Sequence, residues 1–189
     1  TTLKRPVTMT GIGLHKGRPA RMTIKPAMAD HGIWFKRLDV VGADPMVCAS
    51  YDSVDNTTLC TRIANADGVT VSTIEHVMAA LAGLGVSNAL IELDGPEVPI
   101  TDGSSAPFVE RIRAAGMLRQ DAQRLVIRIL EPVALDEGEA AARLEPAEQF
   151  EMDYAIDFPE AVIGQQTRSM AVVNGAFVDH LSDSRTFCR

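Results

Sequence analysis

The chain has 189 residues, of which 46% are hydrophobic and 23% charged, and its formal net charge is −7. This composition is typical of a globular protein with a hydrophobic core and excludes a disordered or collagen-like chain. The acidic balance argues against a general nucleic-acid binder, which needs a basic face. No apolar run reaches the roughly 18 residues of a membrane-spanning helix.

The first part of the chain is predicted to form strands and two helices. A hairpin is predicted from Val7 to Lys25, where alternating apolar residues are interrupted by a glycine-containing stretch. Further strands are predicted at 32–36, 58–64 and 89–93, and helices at 73–82 and 106–115. Gly83 and Gly116 follow these helices at positions where glycine commonly ends a helix.

A second β-rich stretch begins at Leu125 and partly repeats the first. Pro6-Val7 recurs as Pro132-Val133, which corresponds to a period of about 126 residues. We therefore predict the α+β class, with two similar βααβ-type domains in tandem, each a sheet with two helices. The first domain is predicted at 1–122 and the second at 123–189, where it is incomplete because a full second copy would extend beyond Arg189.

The cysteines predict a reducing compartment. The chain has an odd number of cysteines and no CxxC motif; they are Cys48, Cys60 and Cys188. A disulfide framework is therefore not expected, and we predict a cytoplasmic protein.

The helix predicted at 73–82 contains the most informative pair of residues. Its ionisable residues, Glu75 and His76, lie together in the first turn. Ser72 and Glu75 match a capping box, and His76 has a structural alternative as a hydrogen-bonded core residue. The other interpretation is metal-assisted hydrolysis, with His76 as a metal ligand and Glu75 acting on water. Four apolar residues at helical spacing are predicted to face a core: Ile74, Val77, Met78 and Leu81.

Two further motifs are weak evidence for a ligand site. Gly11 and Gly13 lack the third glycine and the following helix of a dinucleotide-binding fingerprint. The segment from Asp102 to Ser105 precedes a predicted helix, where a turn with a helix cap is favoured over a phosphate site.

Several longer motifs occur in an order that is specific to one enzyme family. They are Gly11-Ile-Gly-Leu-His15, Ser72-Thr-Ile-Glu-His-Val-Met-Ala-Ala-Leu81, Asp94-Gly-Pro-Glu-Val-Pro-Ile-Thr-Asp-Gly-Ser-Ser-Ala-Pro-Phe108, Ile156-Asp-Phe158 and Ser184-Arg-Thr-Phe187. Over its whole length the chain resembles the UDP-3-O-acyl-N-acetylglucosamine deacetylases, the zinc amidases of lipid A biosynthesis.

This resemblance implies the roles of three residues in catalysis. His76 would be the first zinc ligand, and Glu75 would be the general base that takes a proton from water. Thr186 would stabilise the oxyanion of the tetrahedral intermediate. An imidazole, a carboxylate and a hydroxyl suit these three roles. The implied reaction removes the N-acetyl group of a UDP-3-O-acyl-N-acetylglucosamine, with Zn²⁺ as cofactor.

The resemblance also implies a substrate-binding surface. Aromatic side chains suit the uracil ring and the sugar, and further residues would line a channel. The residues implied are Phe158 against the uracil, Phe187, Leu14, His15 and Cys60. The partner would be a small UDP-sugar with an acyl chain rather than a nucleic acid, with membrane-surface contact only through that substrate. We expect a monomer.

The family's remaining catalytic features do not occur in this chain. The family takes its other two zinc ligands from a later HxxxD helix and its general acid from a downstream histidine. Because a zinc site needs about three protein ligands, we expect the 189-residue chain alone to be inactive. Two alternatives stay open: a metal-free thiol hydrolase that uses Cys60 or Cys188 with a histidine, and a non-catalytic module that binds a nucleotide-sugar.

Overall fold

A computed structural model describes residues 1–173 and 175–185 of the chain. Strands and helices are mixed along this range, so the predicted α+β class is confirmed. The helices are α1 (Glu75–Gly83), α2 (Ala106–Ala115) and α3 (Ala176–His180). The strands are β1 (Thr2–Leu3), β2 (Val7–Ile12), β3 (Pro19–Pro26), β4 (Ile33–Arg37), β5 (Met46–Cys48), β6 (Val54–Asn56), β7 (Arg62–Ala64), β8 (Thr70–Ser72), β9 (Ala89–Leu93), β10 (Met117–Leu118), β11 (Val133–Glu137), β12 (Ala140–Leu144), β13 (Glu151–Asp157) and β14 (Gln165–Ala171).

The chain divides into two compact units, one formed by residues 1–122 with 178–185 and the other by residues 123–177. The first unit is built on a five-stranded sheet in the order β2-β3-β9-β4-β5, in which only β4 and β9 run parallel. A smaller sheet has the order β6-β7-β8. The predicted N-terminal hairpin is confirmed as β2 and β3, because Val7 pairs with Ile24 and Ile12 with Pro19.

The core of the first unit combines apolar side chains of the main sheet with those of α1 and α2. Alternation along β3 buries Ala20, Met22 and Ile24 and leaves the intervening residues more accessible. Phe108 and Ile112, at i and i+4 of α2, are fully buried, which is the spacing of one helix face.

Two predicted boundaries differ from the structure for local reasons. The helix predicted from Thr73 begins at Glu75, because Thr73 has φ 61° in the left-handed region, which no helical residue adopts. The strand predicted at 58–64 starts only at Arg62, because Asn56 Oδ1 accepts a hydrogen bond from the Thr58 N–H and turns the chain. By contrast, β9 and α2 have the predicted bounds.

The second unit consists mainly of two antiparallel hairpins, β11–β12 and β13–β14. None of its described residues is buried. Within the described ranges, no helix is both long and apolar enough to span a membrane.

Candidate active site at the start of the first helix

The first turn of α1 is attached to the loop that precedes β7. The Glu75 carboxylate accepts a hydrogen bond at Oε2 from the Thr61 N–H, at 3.0 Å. The Thr61 carbonyl in turn accepts one from the Ile74 N–H, at 3.4 Å. Among the described residues, Glu75 Oε1 has no hydrogen-bond partner, so one carboxylate oxygen is held by the backbone and the other is not.

The capping-box interpretation of Glu75 is wrong. A capping box requires the Ser72 N–H to bind the Glu75 carboxylate, but the Ser72 N–H donates to the Pro96 carbonyl at 2.9 Å. Ile74 is the N-cap residue of α1, and none of the described side chains caps the helix. The helix start is held by contacts with distant segments, which leaves Glu75 available for another role.

His76 follows Glu75 and has an incomplete set of partners. Its backbone carbonyl accepts a hydrogen bond from Ser105 Oγ at 3.0 Å, which connects the first turn of α1 to the start of α2. Its ring atom Nδ1 is buried and has no hydrogen-bond partner among the described residues. A buried polar nitrogen without a partner is unfavourable, so this ring is suited to a partner that the described residues do not supply. The alternative of a hydrogen-bonded core histidine is therefore not supported.

The predicted apolar stripe of α1 is largely buried. Ile74, Val77 and Leu81 are buried, and Met78 is partly accessible. On the opposite side of the helix Ala79 and Gly83 are half-buried and Ala80 is fully buried. The side that bears the small residues is therefore covered only in part.

A second acidic residue, Glu97, connects the turn after β2 to the segment before α1. Glu97 is 3% exposed. Its Oε1 accepts hydrogen bonds from the His15 N–H at 2.8 Å and from Thr73 Oγ1 at 3.1 Å. Its Oε2 accepts one from the Lys16 N–H at 3.2 Å. Glu97 was not predicted as a site residue, although an acidic side chain between Pro96 and Val98 in an otherwise apolar stretch is a recognisable signal.

The two glycines of the GxG motif allow this connection. A Cβ on Gly13 would lie 2.8 Å from Glu97 Cδ, and one on Gly11 would lie 3.0 Å from Pro99 Cβ. Both distances are shorter than ordinary contacts, so glycine is favoured at both positions for space rather than for backbone conformation, most strongly at Gly13.

The segment before α2 forms a hydrogen-bonded turn, as predicted, but Ser105, the N-cap residue of α2, makes no side-chain capping hydrogen bond. Asp102 Oδ1 accepts hydrogen bonds from the Ser104 N–H and from Ser104 Oγ, at 3.1 and 2.8 Å. The hydrogen bond from the Ser104 hydroxyl holds the pKa of Asp102 below its ordinary value. The Arg185 guanidinium, which lies 3.5 Å from Asp102 Oδ2, lowers this pKa further.

At the end of β5, burial raises the pKa of the Cys48 thiol, which disfavours a reactive thiolate at that position.

The structure brings together part of the predicted site set. Cys60 directly precedes Thr61, which binds Glu75, and its thiol is half-buried. Leu14 and His15 occupy an exposed turn that Glu97 connects to Thr73. Phe158 lies in the second unit, is half-buried, and donates its N–H to the Gly164 carbonyl at 3.1 Å.

Two predicted site residues and one possible thiol lie outside the described residues: Thr186, Phe187 and Cys188. Within residues 1–173 and 175–185, no three histidine, cysteine or acidic side chains are grouped so as to hold a metal ion.

Comparison with known proteins adds information about the whole chain. A family model described as UDP-3-O-acyl N-acetylglycosamine deacetylase (LpxC) matches residues 1–189. A UDP-3-O-acyl-N-acetylglucosamine deacetylase of Phenylobacterium zucineum is 48% identical over 186 residues, which cover 98% of this chain and 64% of that protein. Enzymes with the same name from Shewanella halifaxensis and Anaeromyxobacter sp. are each 44% identical, over 188 and 187 residues. These matches cover 98% and 99% of this chain but 61% and 60% of the two relatives. The chain therefore spans less than two thirds of the length of these relatives.

Proposed function

Because the chain belongs to the UDP-3-O-acyl N-acetylglycosamine deacetylase family, we propose that it forms part of an enzyme that hydrolyses the N-acetyl group of a UDP-3-O-acyl-N-acetylglucosamine in lipid A synthesis. Water adds to the amide carbonyl, the carbon–nitrogen bond breaks, and acetate and the free amine leave. The observation that carries this proposal is the pair at the start of α1. Among the described residues, Glu75 has one oxygen held by the Thr61 N–H and one without a hydrogen-bond partner, and the buried ring nitrogen of His76 beside it also has none.

Glu75 is proposed as the general base. The Thr61 N–H fixes Oε2 and therefore the orientation of the whole carboxylate. Oε1, which has no partner among the described residues, is then the oxygen that removes a proton from the attacking water. The leaving amine nitrogen needs a proton when the carbon–nitrogen bond breaks, and either the protonated Glu75 carboxyl group or a separate general acid would donate it.

His76 is proposed as a zinc ligand. The unpartnered, buried ring nitrogen fits a metal-binding imidazole, and the Ser105 contact with the His76 carbonyl fixes the backbone that carries the ring. When bound, Zn²⁺ would polarise the amide carbonyl and make water more acidic. His76 is one of about three protein ligands that such a site needs, so we propose that the 189-residue chain alone binds zinc weakly and does not turn over.

The remaining site residues are proposed to bind the substrate or its transition state. Leu14, His15 and Cys60 are proposed to line the channel for the acylated sugar, and their positions near the start of α1 support this. Thr186 would stabilise the oxyanion. Phe158 would lie against the uracil, and Phe187 would line the same substrate.

The proposal extends to the setting of the enzyme. We propose a monomeric, cytoplasmic protein that meets membrane lipid only through its acylated substrate. The tandem arrangement, with domains at 1–122 and 123–189, also stays a prediction.

The test is hydrolysis of the acetamide in the protein at its natural length. Glu75→Gln should lower kcat by at least about 100-fold, because the amide cannot accept a proton, while substrate binding persists. Glu110→Gln, an exposed position on α2, is the matched control and should retain full activity. Near-full activity of Glu75→Gln would disprove the role of this base.

Metal dependence separates the proposal from the two alternatives. Chelation should abolish hydrolysis, and zinc should restore it, whereas alkylation of the cysteines should leave most of the activity. Activity that survives chelation but not alkylation would favour a thiol hydrolase. Binding of the nucleotide-sugar without any hydrolysis would favour a non-catalytic module.

A further inference from the structure

We propose that Glu97 is a positioning residue that fixes the turn bearing Leu14 and His15 relative to the first turn of α1. This inference rests on the proposed function, because it assigns Glu97 to the same site. It concerns a side chain that has no place in the proposed chemistry and is 3% exposed.

The hydrogen bonds of Glu97 join segments that are far apart in the chain. The His15 N–H is 82 residues away and Thr73 Oγ1 is 24 residues away, yet both donate to the same oxygen, Oε1. The Lys16 N–H donates to the other oxygen. One buried carboxylate therefore satisfies two backbone amides of an otherwise exposed turn and the hydroxyl next to α1.

Backbone hydrogen bonds hold the segment of Glu97 on both sides, so the position of its Cα is fixed. Ser72 and the segment of Glu97 form a parallel bridge, in which the Val98 N–H donates to the Ser72 carbonyl at 3.1 Å. On the other side, the Ile100 N–H donates to the Ile12 carbonyl at 3.0 Å. The segment at 96–100 thus lies between the end of β2 and the residues that lead into α1.

The conformation of Thr73 indicates that this connection is specific. Thr73 is β-branched and 1% exposed, and its φ of 61° is unfavourable for such a side chain. This conformation places the hydroxyl on Glu97 and the next residues at the start of α1. The strained residue therefore couples Glu97 to the helix that bears Glu75 and His76, and the turn of Leu14 and His15 is held to the same carboxylate.

Glu97→Gln breaks part of this connection with little change in shape. Glutamine has one acceptor oxygen, so either the His15 N–H or the Lys16 N–H must face an NH₂ group, whichever way the amide lies. Thr73→Val removes only the contact beside α1, and Thr73→Ser retains the hydroxyl. Ile112→Val, in the core of α2, serves as a control for stability alone.

The first measurement is amide hydrogen exchange in the 189-residue chain, which does not depend on activity. In Glu97→Gln, one or both of the His15 and Lys16 amides should exchange at least about tenfold faster than in the wild type. The exchange rates of the amides in β3 and β9 should stay nearly the same. Unchanged exchange at both His15 and Lys16 would overturn the proposal.

The second measurement is hydrolysis by the protein at its natural length. Glu97→Gln should lower kcat/KM about 10- to 100-fold, mainly through KM, because the displaced turn is the proposed channel wall. Thr73→Val should lower kcat/KM less than Glu97→Gln does, and Thr73→Ser, which retains the hydroxyl, should keep kcat/KM near that of the wild type. If Glu97→Gln loses no more activity than Ile112→Val of equal stability, the role is structural only and the proposal is overturned. Two other results would contradict the proposed function itself and not the role of Glu97: a wild-type protein that does not hydrolyse the acetamide, or a Glu75→Gln variant that remains active.

Discussion

The β2–β3 hairpin of the first unit and the β11–β12 hairpin of the second have the same antiparallel pairing and opposite burial. In β3 three alternating residues are buried, whereas every residue of β11 and β12 is exposed. The difference lies in the neighbours. β3 also pairs with β9 and belongs to a unit whose core includes α1 and α2, while β11 and β12 form a two-stranded sheet. Pairing alone therefore does not create a core, because burial needs a covering layer.

The largest expected difference between the units is the cost of removing an apolar side chain. Phe35→Ala removes a fully buried ring from β4 and should lower the free energy of unfolding by about 3–5 kcal/mol. Leu135→Ala in β11, where the leucine is 61% exposed, should change it by less than about 0.5 kcal/mol. Urea denaturation followed by Trp34 fluorescence and by far-UV circular dichroism measures both. Equal destabilisation would show that the second unit has a core of its own.

The rates of amide hydrogen exchange should differ between the same two hairpins in the wild-type protein. Amides in the centre of β3 are bonded to strands on both sides and should exchange at least about 100-fold more slowly than the amides of β11 and β12. Hydrogen exchange with detection by nuclear magnetic resonance gives the rates residue by residue. Similar protection in the two hairpins would contradict the comparison.

Within the first unit, close packing of the backbone predicts a sharp difference between two glycines. Gly13→Ala would place Cβ against the Glu97 carboxyl group and should destabilise the protein by about 1–3 kcal/mol. Gly95→Ala is the matched control, because a Cβ there would meet nothing within 4 Å, and it should cost less than about 0.5 kcal/mol. Thermal denaturation of the two variants measures the difference. If Gly13→Ala is as stable as the wild type, the turn can move away from Glu97 at no cost, which would contradict this expectation.

The smallest expected effect is the pH-dependent contribution of Asp102. Since the hydrogen bond from Ser104 lowers the pKa of Asp102 below its ordinary value of 3.8, the ionised carboxylate stabilises the folded state above that pH. The stabilisation is lost as the pH falls through the lowered pKa. Asp102→Asn should therefore have a lower Tm than the wild type at pH 6, and the gap should close below pH 3.8. The side chain is 41% exposed, so we expect less than about 1 kcal/mol.

The control for this pH effect is Asp136→Asn, at an exposed position on β11. It makes the same change of net charge without removing a contact of Asp102. A gap that closes equally in both variants would show that the effect reflects net charge rather than the contacts of Asp102.

Elements set by local pattern were predictable from the sequence, and contacts between distant segments were not. The bounds of α2 and β9 follow from apolar spacing, and Gly116 ends α2 at φ 75°, as a glycine can. The capping-box pattern predicted the wrong partner for Glu75, because the Pro96 carbonyl, 24 residues from Ser72, accepts the N–H that the motif needs. Glu97 was missed for the same reason, since its partners are separated from it by 24 to 82 residues.

The sequence by itself determined the α+β class, the N-terminal hairpin and the resemblance that pointed to the family, because these depend on local periodicity and on long specific motifs. Only the tertiary structure decided where α1 begins, which oxygen of Glu75 is held and what Glu97 connects. It also decided that the first unit has a buried core while the described residues of the second have none. Burial and long-range hydrogen bonds depend on which segments meet in space, and no local pattern specifies that.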